Sequence, residues 1–164
     1  MTKKLFALAL LIAPAVGAQG ATRTADSVAV IALADSALAA INRGDMIAFT
    51  DLMVDEATIT TITARSATAK HRVRTRAAER AGTSTATIVE RGFNATALVS
   101  GPMAMVWLPY DLYVNGAWSH CGVDVFTFVR TEGQWMIASL AYTLEQPPAC
   151  AKHPAGPPPG VSGR

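Results

Sequence analysis

The dipeptide Asn115-Gly116 constrains this chain more than any other feature. A two-residue loop of type I′ needs positive φ at both central positions, and Asn-Gly adopts it readily. The pair stands between two alternating runs, Met103 to Val114 and Ala117 to Thr131, so the stretch reads as a hairpin. Glu132-Gly133 repeats the device more weakly before a third run, Gln134 to Leu144. A three-stranded antiparallel meander is therefore predicted from Met103 to Leu144.

A two-residue loop pairs Val114 with Ala117 and fixes every pair beyond it, because register in a hairpin follows from the turn. Tyr113 then opposes Trp118, Asp111 opposes His120, Trp107 opposes Asp124, and Met105 and Met103 oppose Phe126 and Phe128. Alternation puts all of them on one face. That face mixes aromatic and Met side chains with two carboxylates and an imidazole, the composition of a ligand cavity. The other face, with Ala104, Val106 and Leu108 against Val125, Thr127 and Val129, is plainly apolar. Pro109 cannot donate to a ladder and marks a bulge or an unpaired edge, which makes the pairs nearest the turn the best determined. In the last run, a two-residue loop turns Trp135 and Ile137 to the mixed face, whereas a longer loop turns Tyr142 there.

The first residues have another purpose. Lys3-Lys4, an apolar run from Leu5 to Ala13 and the small residues Val16-Gly17-Ala18 form a secretory signal over residues 1–18. The run falls short of the roughly 20 residues that span a bilayer. No Cys follows the cleavage site, so no lipid anchor and no stable membrane attachment is expected after cleavage. The mature protein is expected in the periplasm or outside the cell, where disulfides persist. The formal charge of +2 comes from Lys3 and Lys4; without them twelve basic residues face twelve acidic ones. A neutral domain has no general reason to seek nucleic acid or an anionic membrane.

From Asp26 to Asn42, Ile31, Ala34, Leu38 and Ile41 recur at helical spacing, with Thr24 or Asp26 to cap the start and Gly44 to end it. Asp45 caps a second helix, Met46 to about Met53, turning Met46, Phe49 and Met53 inward. Both helices read as lids over the sheet. Thr58 to Thr63 is almost wholly β-branched and reads as a strand. Arg65 to Arg80 holds six of the fourteen basic residues and His71. With no aromatic residue interleaved for stacking, it reads as a solvated hairpin and a short surface helix around Thr75 to Ala81. Thr85 to Ser100 is an irregular strand with Glu90-Arg91 mid-run and a bulge at Gly92. After Glu145 come six of the nine prolines, so residues 151–164 are expected to form an extended, disordered Pro-rich tail.

Three ionisable residues are candidate catalysts. Asp124, amid an aromatic strand, must be hydrogen-bonded, paired or raised in pKa, and a raised carboxyl is a usable general acid or base. His120 and Asp111, if paired across strands, make either an oriented base or a solvated ion pair. Trp107, Tyr113, Trp118 and Phe126 are the expected ligand-binding wall. His71, His120 and His153 have no metal-ligand spacing, no phosphate-cradling loop is present, and no cofactor is expected. The two cysteines, Cys121 and Cys150, invite an intrachain disulfide on the face opposite Asp124, with free thiols or a bridge between subunits as the alternatives.

The order of elements resembles the nuclear transport factor 2-like superfamily, which includes SnoaL-like and ketosteroid-isomerase-like proteins. Four segments carry the resemblance: Asn42-Arg43-Gly44-Asp45, Gly101-Pro102-Met103-Ala104-Met105-Val106-Trp107, Ser119-His120-Cys121-Gly122-Val123-Asp124-Val125-Phe126 and Gly133-Gln134-Trp135-Met136-Ile137-Ala138. It covers Asp26 to Cys150, nearly the whole of a single domain over residues 24–150. The His-Cys-Gly-Val-Asp pattern is similar to secreted members of a branch named for lumazine binding. The resemblance implies an α+β fold, with N-terminal helices packed on a curved antiparallel sheet as a cone-like, cystatin-like roll. It also implies a pocket inside the cone and a homodimer formed through the sheet. Ketosteroid-isomerase-like members use a buried carboxylate with a Tyr in the first helix, and this first helix contains no Tyr. The expected function is a small-molecule-binding domain for a partly aromatic ligand. An acid–base enzyme (isomerase, dehydratase or cyclase) and a dimeric interaction module with a vestigial pocket are the alternatives.

Overall fold

The computed structural model describes residues 16–63, 68–159 and 161. The signal segment lies outside the described residues up to Ala15, as does Arg65 of the basic stretch. The first helix, α1 (Val16–Asn42), begins ten residues before the expected start at Asp26, since no proline after Pro14 interrupts it. Asp26 is consequently not a cap. Its carboxylate takes hydrogen bonds from the Arg130 guanidinium and the Trp135 indole. Thr24–Asn42 is apolar and long enough to cross a membrane by length and composition. Here its face of Val30, Ala34, Ala37, Leu38 and Ala40 is buried in the core, and the small alanines let the helix lie close to the sheet. Gly44 ends α1, and the Asp45 carboxylate caps α2 (Met46–Asp51) by accepting from the Ala48 amide.

Seven strands follow: β1 (Met53–Thr63), β2 (Lys70–Thr75), β3 (Ile88–Gly92), β4 (Thr96–Ser100), β5 (Met103–Val114), β6 (Ala117–Thr131) and β7 (Gln134–Leu144). They form one sheet in the order β2-β1-β7-β6-β5-β3, with β4 also on β5. The meander is as expected, and Asn115 and Gly116 turn it with φ of 50° and 76°. The sheet is curved and mixed rather than antiparallel, because β1 runs parallel to β7 and fills the edge that the meander leaves open. The irregular strand resolves into β3 and β4, separated at 93–95. Pro109 sits where β5 changes partner from one to the other, so its missing N–H costs no ladder bond.

The basic stretch forms β2 and a one-turn surface helix, α3 (Arg76–Arg80), and its cations are matched locally. Arg74 meets Glu79 at 2.5 Å, Arg76 meets Asp55 at 2.5 Å, and Arg80 meets Asp51 at 2.6 Å.

One register shift decides which side chains face inward. Val114 and Tyr113 pair with Ala117 and Trp118 as expected, but Leu112 pairs with His120, leaving Ser119 unmatched. This bulge moves all later pairs by one residue. Trp107 therefore opposes Val125, and Leu108 opposes Asp124. Because side chains alternate, the extra residue on β6 brings its inner side chains opposite the other face of β5. The plainly apolar set, Ala104, Val106, Leu108 and Tyr110, turns inward with Asp124, Phe126 and Phe128, and all of them are buried. A second bulge on β7 leaves Ala138 unmatched between Ile137 and Ser139, so Ile137 before it and Leu140 and Tyr142 after it pair with inner residues of β6. Both alternatives for the last strand are thus realised in turn. Gly122 is required where the two strands come closest: a Cβ there would lie 2.1 Å from the Thr143 carbonyl oxygen.

Candidate functional site

Helices α1 and α2, the β2–α3 hairpin and the inner sheet face enclose a cavity of about 690 Å³. Its walls are largely aliphatic, with Leu38, Ile41, Ile59 and Leu140 joined by Phe49 and Tyr142. Set into them are two carboxyls, Asp124 on β6 and Glu90 on β3, together with His120. Asp124 is 1% exposed and Glu90 8%. Glu90 is held at its backbone by the last residue of α1. The Asn42 side chain accepts from the Glu90 amide at 2.7 Å and donates to the Glu90 carbonyl at 2.8 Å. This clamp uses both ends of the amide and leaves the Glu90 carboxyl to the cavity.

Burial raises the Glu90 carboxyl to about 7. Asp124 is raised well above the usual carboxylate range by burial and then by the charge of Glu90. Its Oδ2 has no hydrogen-bond partner among the described residues. Tyr110 lies beneath the pair and is raised by burial first and by the two carboxyls after it. Its hydroxyl donates to the Thr143 carbonyl at 2.6 Å, which makes it a strut of the floor. His120 shares a hydrogen bond between Nδ1 and Ser119 Oγ at 2.9 Å and meets the Tyr110 ring edge-on at 5.8 Å. At the mouth, the Arg74 guanidinium donates to Glu79, to Thr61 at 2.8 Å and to the Tyr142 hydroxyl at 3.3 Å. Two buried carboxyls, both raised and Glu90 to about 7, combine a donor and an acceptor in one apolar enclosure, the requirement for moving a proton on a bound molecule.

The cavity collects Asp124 and His120 from the expected site and rejects the rest. Asp111 is on the outer face, where Arg91 donates to both of its oxygens, at 2.9 and 2.6 Å, and the His153 amide donates at 3.0 Å. It is a structural anchor and cannot orient His120, because the Ser119 bulge separates them. Trp107 is on the outer face and 47% exposed. Tyr113 and Trp118 pack edge-on there at 5.6 Å, with Arg91 over the first ring and Lys152 over the second. Phe126 faces inward but stacks on Phe128 in the core and does not line the cavity. Cys121 and Cys150 are joined in a disulfide on the side away from Asp124. The bridge brings the following chain onto the outer face. Residues 151–159, expected to be disordered, are held there by the His153 amide on Asp111, the His153 ring against Phe93 at 5.3 Å and Lys152 on Trp118. Composition could not show this, because the named contacts are made by the side chains of Lys152 and His153, while Pro158 is buried as well.

Glu90 is the site residue that sequence reasoning missed. Its signal was present, a Glu in the middle of a strand, and it was read as irregularity.

No family profile matches the chain, and no curated protein matches it in sequence. Solved structures do. A nuclear transport factor 2-like protein with a cystatin-like fold from Novosphingobium aromaticivorans is 17% identical with a TM-score of 0.61, over 80% of this chain and 90% of that one. A candidate scytalone dehydratase from the same organism is 14% identical with a TM-score of 0.63, over 77% and 89%. The beta subunit of a candidate aromatic-ring-hydroxylating dioxygenase, also from that organism, is 11% identical with a TM-score of 0.63, over 76% and 92%. At these identities the likeness is one of fold.

Proposed function

We propose that this chain, which has the nuclear transport factor 2-like fold, is a small-molecule-binding domain whose ligand lies in the cavity with its polar end on Asp124 and Glu90. The observation that carries this reading is the Asp124 Oδ2, buried without a hydrogen-bond partner among the described residues, on a residue that lines a cavity of about 690 Å³ beside a second buried carboxyl. A buried carboxyl oxygen without a partner costs free energy that a ligand donor recovers. The ligand's body is apolar, to suit walls that are mostly aliphatic. The aromatic rings expected to hold it, Trp107, Tyr113 and Trp118, are on the outer face. Native mass spectrometry of protein purified from its own host tests the reading: a bound small molecule is expected in the wild type and lost in Asp124→Asn. A wild type that is empty, and that no small molecule stabilises, refutes it.

A second reading, an acid–base enzyme of isomerase or dehydratase type, is favoured by the Glu90 carboxyl near 7 in an apolar enclosure. The likeness in fold to a candidate scytalone dehydratase agrees with it. Turnover lost in both Glu90→Gln and Asp124→Asn, with binding retained, separates catalysis from binding.

Two further properties belong to the proposal. The disulfide fits a secreted or periplasmic protein, as does the signal segment expected over residues 1–18. Leu98, Met103 and Trp107, exposed together on the outer face of β4 and β5, suit a homodimer formed through the sheet. Sedimentation of the wild type and Trp107→Asp at micromolar concentration tests the dimer.

A further inference from the structure

The inner end of the cavity is short of donors. Asp124 Oδ2 has no partner among the described residues. Of the nearby donors, the Glu90 amide is committed to Asn42 and the Tyr110 hydroxyl to the Thr143 carbonyl. His120 shares its Nδ1 with Ser119 Oγ, which leaves the His120 Nε2 edge as the ring donor beside the pair. Arg74, the partly buried cation of the lining, is occupied by Glu79, Thr61 and Tyr142 at the mouth. Arg72 also borders the cavity from β2 but is exposed, so solvent and salt screen its charge. A molecule that enters an apolar chamber ending in two carboxyls meets acceptors and a prospective negative charge. A neutral hydroxyl brings one donor to this end, a carboxylate brings none, and an ammonium brings three together with the opposite charge.

Building on the cavity reading above, we infer that the ligand is an organic cation, a protonated amine or amidine on an apolar body, with its N–H donors seated on Asp124 and Glu90. Binding is then coupled to proton release. Burial raises the Glu90 carboxyl to about 7, and burial with the charge of Glu90 raises Asp124, so the empty pair holds protons that ordinary carboxylates have lost. When the ammonium settles, a carboxyl O–H gives its proton to solvent, and the resulting carboxylate accepts the ammonium's hydrogen bond. The other charged or titratable groups facing the chamber are His120 on β6, Tyr110 on β5, Tyr142 on β7, Arg72 and Arg74 on β2, and Glu79 on α3. The lining from α1 and α2 carries no charge. Of these, histidine ordinarily titrates in the same range as the pair, so the pH dependence has to be assigned by substitution.

The test is calorimetric titration of the full-length chain with two matched series: hexylamine, hexanol and hexanoate; and tryptamine, tryptophol and indole-3-acetate. In at least one series the amine is expected to bind tenfold or more tightly than the alcohol, with the carboxylate weakest. Its affinity is expected to rise between pH 5 and 7 by about tenfold per unit for each proton released. Glu90→Gln is expected to flatten that rise, and Asp124→Asn to abolish the preference for amine over alcohol. The wild-type series decides the matter even if a variant fails to fold. Alcohols or carboxylates binding as tightly as the amines overturn the cation and leave the cavity reading standing. A pH slope unchanged in Glu90→Gln overturns it as well. If none of the six compounds binds, the cation is overturned, and the cavity reading is decided separately by the native mass spectrometry above.

Discussion

Asp111 and Asp124 lie on paired strands of one ribbon, and both are withdrawn from solvent, at 0% and 1% exposure. On the outer face, Asp111 receives three hydrogen bonds, two from Arg91 and one from the His153 amide. On the inner face, Asp124 has an oxygen without a partner among the described residues and shares its chamber with Glu90. A satisfied buried carboxylate ties elements together, here β3, β5 and the C-terminal segment. An unsatisfied one is held against its own solvation by the rest of the fold, and such a group is where ligand chemistry takes place. Depth of burial does not distinguish the two; their partners do.

The comparison can be broken most forcibly from the outer face. Cys150→Ser opens the 29-residue separation between the cysteines and is expected to cost about 3 to 4 kcal/mol of unfolding free energy by chain-entropy arguments, read from urea denaturation. The cavity should survive it. Asp111→Ala leaves Arg91 half-buried without its bidentate partner and is expected to cost about 3 kcal/mol in the same measurement. Were Asp111→Ala neutral, its hydrogen bonds would not be the anchor described.

The inner pair has the opposite sign. Glu90 and Asp124 are both raised in the folded state, so each holds its proton to higher pH than in the unfolded chain, Glu90 between about pH 4.5 and 7. Stability conferred by the protonated pair is therefore present at low pH and lost as pH climbs, by about 3 kcal/mol for Glu90 through that window. Thermal melts from pH 4.5 to 8 read this directly, after correction for the other titrating groups through the variants. Asp124→Asn should flatten the curve and, at pH 8, raise Tm. A loss of stability in Asp124→Asn at pH 8 would mean that the carboxylate is satisfied after all. The smallest effect belongs to Trp107→Ala. At 47% exposure the ring contributes little to the isolated fold, and a change below about 1 kcal/mol is expected in dilute solution. A larger cost that grows with protein concentration would identify the outer face as a subunit interface.

Much of the frame was legible because local rules and tertiary packing agree on it. Asn115-Gly116 turns the hairpin, Asp45 caps α2, a short surface helix follows Thr75, and Cys121 meets Cys150 on the side away from Asp124. The site was half legible. Asp124 and His120 were found because an acid and an imidazole on a buried strand stand out from their neighbours. Trp107, Tyr113, Trp118 and Asp111 were assigned to the wrong face by a single unmatched residue, Ser119. Glu90 was seen and not recognised, since nothing local shows that β3 faces the same chamber as β6.

By itself, then, the order of residues determined which segments are helix and strand, where they turn and which cysteines join. Only the folded molecule decided which half of β5 faces inward and which two carboxyls meet. Strand periodicity has just two phases, and a one-residue bulge exchanges them for a trivial change in local energy. The choice is therefore made by what each face packs against, the apolar stripe of α1 on one side and the tethered C-terminal segment on the other.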